Sequence, residues 1–214
     1  MFHVKLNARS ILERLNGAQT RLLRAYVDLL RDRAVPLGLV APSDSDRLWD
    51  RHVLDSLRGL AGFDEAARSV FDVGSGAGLP GIPLAIALPA VRFALVEPKR
   101  RRAAFLEMAV DTLELGNVSV LALRTEAVAR VADVCLARAL AAPTETWRTA
   151  SPLLSDQGRI LYWAGRTWNE RERQRLERLG ATAKICLKPE FQWQGPLVIM
   201  FRLSPTPSRT NDGA

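Results

Sequence analysis

The stretch Val70-Phe71-Asp72-Val73-Gly74-Ser75-Gly76-Ala77-Gly78-Leu79-Pro80-Gly81-Ile82-Pro83-Leu84 constrains this chain more than any other. A short β-branched and aromatic run ends in a carboxylate and passes at once into a glycine-crowded turn and a helix-like segment. An α/β sheet uses such a turn to bring backbone amides and a helix N-terminus close to a nucleotide-like ligand without side chains in the way.

The glycine spacing admits two ligand readings. Gly76 to Gly81 is G-x-G-x-x-G, the dinucleotide fingerprint, which is a weak signal alone. Counted from Asp72, the same residues give D-x-G-x-G-x-G, similar to the first motif of S-adenosylmethionine (SAM) methyltransferases. Three features favour SAM. Asp72 at the strand end suits the cationic ammonium of the methionine part and would repel a pyrophosphate. Pro80 and Pro83 fit a first helical turn but remove amides that a pyrophosphate needs. The next strand ends in Glu97, at about the 20-residue distance where an acid meets ribose hydroxyls in either family. Asp72, Gly74, Gly76, Gly78, Leu79 and Glu97 are therefore candidate cofactor residues. NAD, or a turn that only packs a helix on a sheet, remain as other readings.

The 214 residues, 48% of them hydrophobic, suffice for one α/β domain with room for an extra helical piece. The net charge of +7 comes almost wholly from arginine, since the only lysines are Lys5, Lys99, Lys184 and Lys188, and it points to a polyanionic partner. Cys135 and Cys186 both lie in apolar runs and read as buried free thiols in a reducing cytosol, so no disulfide or metal is expected. The first 24 residues are charged throughout and no apolar run reaches a membrane span, so a soluble, cytoplasmic protein with no membrane partner is expected.

Apolar residues recur at helical spacing over residues 8–31, giving one or two amphipathic helices. Ser43-Asp44-Ser45-Asp46 offers N-caps for another helix carrying residues 48–57, which Gly59 and Gly62 end. Strands then alternate with helices: strands at 70–73, 91–97, 118–123, 132–137 and 159–164, with helices at 80–88, 99–115, 125–130, 143–154 and 168–179. Two apolar runs at 181–187 and 196–203 have no helix between them and read as a final antiparallel pair at the sheet edge. The expected fold is α/β: a Rossmann-like class I SAM methyltransferase sheet, parallel with a terminal antiparallel hairpin, plus an N-terminal helical extension. Residues 1–62 form the extension, 63–203 the SAM-binding domain and 204–214 a disordered tail.

The run Trp49-Asp50-Arg51-His52-Val53-Leu54-Asp55-Ser56-Leu57, taken with the glycine stretch, resembles the RsmG (GidB) family of 16S rRNA guanine-N7 methyltransferases, in its actinobacterial form. Further matches are Glu97-Pro98, Arg101-Arg102, Phe105-Leu106, Leu115-Gly116-Asn117-Val118, Arg124-Thr125-Glu126 and Ala137-Arg138-Ala139. The resemblance implies SAM contacts at Gly74, Leu79, Thr125, Glu126 and Arg138. It further implies binding to 16S rRNA or the 30S subunit and methylation in the 530 loop, at guanine 527 in the usual rRNA numbering. In two places the chain departs from the family: Leu37-Gly38-Leu39-Val40 replaces an Asn-Leu-Thr segment, and Ala164-Gly165 stands where a Lys-Gly pair is usual, with Arg166 next. Another SAM-dependent substrate, or a SAM- or RNA-binding paralogue without turnover, is the alternative function.

Methyl transfer to guanine N7 needs no general base, because the lone pair is already presented in the plane of the base. No catalytic residue is assigned; His52, Asp55 and Arg138 are the candidates. His52 and Asp55 share a helix face and serve either to fasten the N-terminal helices onto the sheet or to contact the target base. Arg51, Arg101, Arg102 and Arg166 are candidate RNA contacts. Trp163, Trp168 and Trp193 are either core aromatics or stacking faces for an extruded base, whereas the alternating Arg and Glu of 170–178 read as an exposed, internally paired helix. A monomer is expected.

Overall fold

The computed structural model describes residues 8–166 and 168–203. The expected disordered tail, and His3, lie outside them. Seven strands form one sheet: β1 (Ser69–Val73), β2 (Arg92–Val96), β3 (Val118–Leu121), β4 (Ala132–Arg138), β5 (Leu154–Trp163), β6 (Ala181–Leu187) and β7 (Leu197–Arg202). Their order is β3-β2-β1-β4-β5-β7-β6, with β1 to β5 parallel and β7 antiparallel to both neighbours. The two last strands do pair, but β7 is inserted between β5 and β6, so that of this pair β6 alone lies at an edge, opposite β3 at the other. The apolar run 197–200 is fully or nearly fully buried, which an interior strand requires, whereas β6 exposes Lys184 and Ile185.

The helices are α1 (Ala8–Leu12), α2 (Gly17–Leu29), α3 (Asp55–Leu57), α4 (Gly81–Ala87), α5 (Arg100–Thr112), α6 (Pro143–Ala150) and α7 (Glu170–Glu177). Asn16 starts α2 with a capping box to Gln19. Several boundaries differ from expectation for local reasons. Helix α6 stops at Ala150 because Pro152 follows in a 3-10 turn, and β5 begins earlier than expected, at Leu154. Residues 125–130 give only a 3-10 turn, Thr125–Ala127. Ser43 to Asp46 do not cap a helix. They lie within a 3-10 turn, Pro42–Arg47, and the Asp44 carboxylate accepts from Arg51 Nη1 at 2.7 Å instead. The single helix expected over 48–57 is a π-helical stretch, Leu48–Leu54, running into α3 and then a 3-10 turn, Arg58–Gly62.

The N-terminal helices share a core with one face of the sheet: Ile11, Leu23, Tyr26, Leu30 and Leu57 cluster with Ile82, Leu95, Phe105 and Leu106. Helices α6 and α7 cover the other face through Trp147, Ala150 and Leu176. Gly59 and Gly62 allow the 3-10 turn to lie flat on β5, since a Cβ at Gly59 would stand 2.8 Å from the Trp163 ring and one at Gly62 2.4 Å from Leu161. Parallel register brings Val73, Val96, Arg138 and Trp163 to the carboxyl ends of their strands, where open α/β sheets bind ligands. As expected, α7 is laced by its own pairs, Arg173 with Glu170 and Glu177, and Arg175 with Glu172.

Candidate active site

The turn after β1 depends on glycine. Gly74, Gly76 and Gly78 have φ of +71°, +59° and +89°, the left-handed region that side chains disfavour. Its shape is held from beneath and behind. Ser75 Oγ donates to Asp72 O at 2.7 Å, the Gly78 amide donates to Ser75 O at 2.7 Å, and the buried Tyr26 hydroxyl of α2 donates to Ala77 O at 2.6 Å. A Cβ at Gly78 would meet Ile82 at 2.5 Å, so this glycine is excluded from the surface by packing. Gly76 differs: the nearest atom to a Cβ there is 3.9 Å away, and a side chain would fill a cavity of about 330 Å³. Gly74, Gly76 and Leu79 line that cavity together with His52, Arg102 and Arg138.

The two acids expected to face the ligand are placed below this wall. Asp72 is 1% exposed and does not line the cavity; its Oδ2 accepts the Gly81 amide at 3.1 Å and so fixes the start of α4. Burial pushes its carboxyl up to about 7, against the opposing effects of the Gly81 and Ser75 hydrogen bonds and of Arg138. Glu97 is 2% exposed, with Oε2 accepting the Gly76 amide and Oε1 the Lys99 amide, each at 3.0 Å, and Arg102 3.8 Å away. Glu97 thus ties β2 to the glycine turn itself.

Arg138, at the end of β4, joins the sheet to the N-terminal segment. Its Nη1 donates to His52 O and Ser56 Oγ, its Nη2 donates to Arg51 O and lies 3.3 Å from His52 Nδ1, and Asp55 Oδ2 is 3.4 Å away. His52 Nε2 in turn meets Asp44 at 3.1 Å. Burial, with Arg138 adding to it, holds the His52 imidazole below its ordinary range despite Asp44. Asp55 also receives Arg58 Nη1 at 2.8 Å and Gln194 Nε2 at 3.1 Å, while its backbone carbonyl accepts the Trp163 indole N–H at 2.8 Å. His52 and Asp55 are thus bonded between the helical segment and the sheet, and each also lines a cavity, His52 the first and Asp55 a second one.

A second cavity, of about 450 Å³, opens beside the first, and Arg138 and Ala139 line both. Arg51, Asp55, Arg58, Arg166, Trp193 and Gln194 are among its other walls. The expected RNA contacts are thereby divided: Arg51 and Arg166 line the second cavity, Arg102 lines the first, and Arg101 is exposed away from both. Thr125, half-buried, and Glu126, exposed, lie on the turn after β3 and line neither cavity. Trp163 is a core residue at 7% exposure, and Trp168 packs on Tyr162 with ring centroids 6.4 Å apart.

Leu39 and Val40, marked in the sequence only as a departure from the family, line the first cavity, and sequence reasoning missed Tyr26 beneath the glycine turn. Tyr26 did carry a signal: a phenol within an apolar helix stripe needs a buried acceptor for its hydroxyl. Gln194 was also missed, and nothing in its local sequence marks it.

Residues 19–187 match a protein family described as rRNA small subunit methyltransferase G. The chain is 41% identical over 160 residues, 74% of each chain, to the ribosomal RNA small subunit methyltransferase G of Pseudarthrobacter chlorophenolicus. Its fold is that of a ribosomal protein L11 methylase from Lactobacillus delbrueckii subsp. bulgaricus (TM-score 0.58, 16% identity, 71% of this chain and 78% of that one). It is also that of a mutant MtNAS solved with S-adenosylmethionine (TM-score 0.58, 18% identity, 86% and 73%).

Proposed function

The chain belongs to the rRNA small subunit methyltransferase G family, and from that premise we propose that it transfers the methyl group of SAM to guanine N7 in the 530 loop of 16S rRNA. The carrying observation is the pair of adjoining cavities that share Arg138 and Ala139 as a wall. One has the left-handed glycine turn of a SAM site; the other is lined by arginines and opens where a polyanion would approach.

The first cavity fits the cofactor, because Gly76 leaves open the space a Cβ would fill and Leu79 adds an apolar wall. Gly74, Gly76 and Leu79 would hold SAM there. Ribose hydroxyls would compete with the Gly76 amide for Glu97, which stands directly behind the turn. When bound, the sulfonium supplies an electrophilic methyl group and its own leaving group. The work left to this chain is alignment. Arg138, braced by Asp55, Ser56 and the Arg51 and His52 carbonyls, fixes the wall between cofactor and target. No proton has to be removed from N7, so His52 needs only to stay neutral and in place beside Arg138.

Arg166 lines the second cavity and puts a cation where Ala164 leaves none, which supports turnover over a non-catalytic paralogue. Among the described residues no helix is long and apolar enough to cross a membrane, and the reading includes a cytoplasmic monomer acting on 16S rRNA or the 30S subunit. The test is incubation with labelled SAM and either 30S subunits or naked 16S rRNA lacking the mark, followed by mapping of strand cleavage at N7-methylguanine. One band in the 530 loop is expected; label without N7 cleavage would reject the assigned atom.

A further inference from the structure

The geometry points to Trp193, on the loop between β6 and β7, as the stacking face for the nucleobase that enters the second cavity, an inference that rests on the rRNA methyltransferase reading above. A base inside an RNA helix cannot reach a methyl donor held in a pocket. It must be extruded, and extruded bases are held by aromatic or guanidinium planes. Trp163 also lines this cavity, but at 7% exposure, with its indole N–H held by Asp55 O, it is a core residue that offers a base little ring surface. Trp168 lies against Tyr162 and outside this cavity. Trp193 is half-exposed and lines it.

The ring is already set for stacking. Phe191 lies parallel to it, with centroids 5.5 Å apart and an interplanar angle of 3°, so one face of the indole is backed by a second ring. The loop is tied at its base. Gln194 Oε1 accepts the amides of Glu190 and Phe191 at 2.9 and 3.3 Å, and its Nε2 donates to the buried Asp55 at 3.1 Å. At Gly195 the chain passes so close to Ala164 that a Cβ would fall 1.9 Å from its carbonyl oxygen. A ring fixed in this way meets a base with little further loss of conformational freedom. The other walls select for a nucleotide over a neutral aromatic compound. Arg51, Arg58, Arg138 and Arg166 surround the space, against Asp55 as the acid among its lining residues. Stacking tolerates any base, so Trp193 contributes affinity for the extruded nucleotide, while the choice of nucleotide rests with the surrounding RNA.

The test compares wild type, Trp193→Ala and Trp193→Phe in methylation of 16S rRNA or 30S subunits lacking the mark, with SAM affinity and thermal midpoint measured in parallel. Trp193→Ala should raise the RNA KM about tenfold or more with SAM affinity and midpoint unchanged. Trp193→Phe should recover most of the loss, which a merely structural tryptophan would not require. RNA should quench tryptophan fluorescence in wild type more than in Trp193→Phe. Wild-type activity with an unaltered KM in Trp193→Ala overturns this inference and leaves the methyltransferase reading standing. No transfer to either RNA by wild type overturns that reading, and this one falls with it.

Discussion

Arg138 and Asp55 meet at 3.4 Å across the seam between the sheet and the N-terminal segment, both largely buried. Neither has water to fall back on, so each depends on the other and on the hydrogen bonds around them. The pair lies under the shared wall of the two cavities, and damage to it reaches both.

Replacing Arg138 by Met should therefore destabilise the protein by about 3 kcal/mol, the scale for leaving a buried charge without its partner, and abolish methylation. Arg138→Lys keeps the charge but not the planar fork that reaches four acceptors, and should fall between. Chemical denaturation and single-turnover assays measure the two effects. A stable, active Met variant would show that the seam is held elsewhere.

Gly78→Ala and Gly76→Ala should separate packing from cofactor space. Both carry positive φ, costing about 1–2 kcal/mol for a side chain. Only Gly78 adds a clash, with Ile82 at 2.5 Å and Tyr26 at 3.1 Å. Gly78→Ala should lower the thermal midpoint more, and Gly76→Ala should lose more SAM affinity by calorimetry relative to its loss of stability. The reverse ranking would mean the cavity beside Gly76 is not the cofactor site.

Asp72 should make stability depend on pH in a direction opposite to that of a salt-bridged acid. Its folded carboxyl lies at about 7, against about 3.9 unfolded. Between those values the folded chain keeps a proton that the unfolded chain has lost, so the contribution is full below about pH 4 and is lost as pH rises through 7. Asp72→Asn removes this dependence. Relative to wild type, the variant should gain on the order of 2–4 kcal/mol between pH 4 and 8, read from urea midpoints. A difference that does not change with pH would show Asp72 ionised in both states. Gly81, Ser75, Arg138, Glu97 and Tyr26 all face this group and set the position of the step.

Arg101 and Arg102 should behave differently despite being neighbours. Arg102 lines the first cavity 3.8 Å from Glu97, so Arg102→Ala should weaken SAM binding. Arg101→Ala should leave SAM alone and at most reduce the salt dependence of RNA binding. Calorimetry with SAM and RNA binding at two ionic strengths distinguish them; equal loss of SAM affinity in both would contradict the placement.

With guanine N7 as the proposed target, the methylation rate at saturating substrates should stay flat within a few-fold from about pH 7 to 9, since N7 carries no proton to remove. His52 is held below its ordinary range and is neutral throughout that window. A log-linear rise of unit slope would mean that a proton is removed and would move the target away from N7.

The sheet was legible in the sequence because buried parallel strands read as unbroken apolar runs: Phe93–Val96 and Val134–Ala137 need no partner to be recognised. The position of β7 between β5 and β6 was not, since two adjacent apolar runs specify that they pair but not which one joins the sheet. The π-helical hydrogen bonding of Leu48–Leu54 has no residue-type signature at all. In the site, glycine spacing located the turn correctly, but it gave no sign that backbone amides of Gly81, Gly76 and Lys99 hold Asp72 and Glu97. Whether a carboxylate faces outward depends on the orphan donors nearby, and these exist only once the turn has formed.

The bonds that complete the site join residues far apart in the chain: Asp55 with Trp163 over 108 residues and with Gln194 over 139. At roughly 5–20 residues per second during translation, Asp55 waits on the order of ten seconds or more after emerging before its last partner is made. The N-terminal helices meet sheet-side partners much sooner, Tyr26 with Ala77 over 51 residues, so it is the tie from Asp55 that is completed last. A nascent chain short of Gln194 therefore has the glycine turn but no tethered Trp193 loop, and its second cavity lacks that wall until the loop is made.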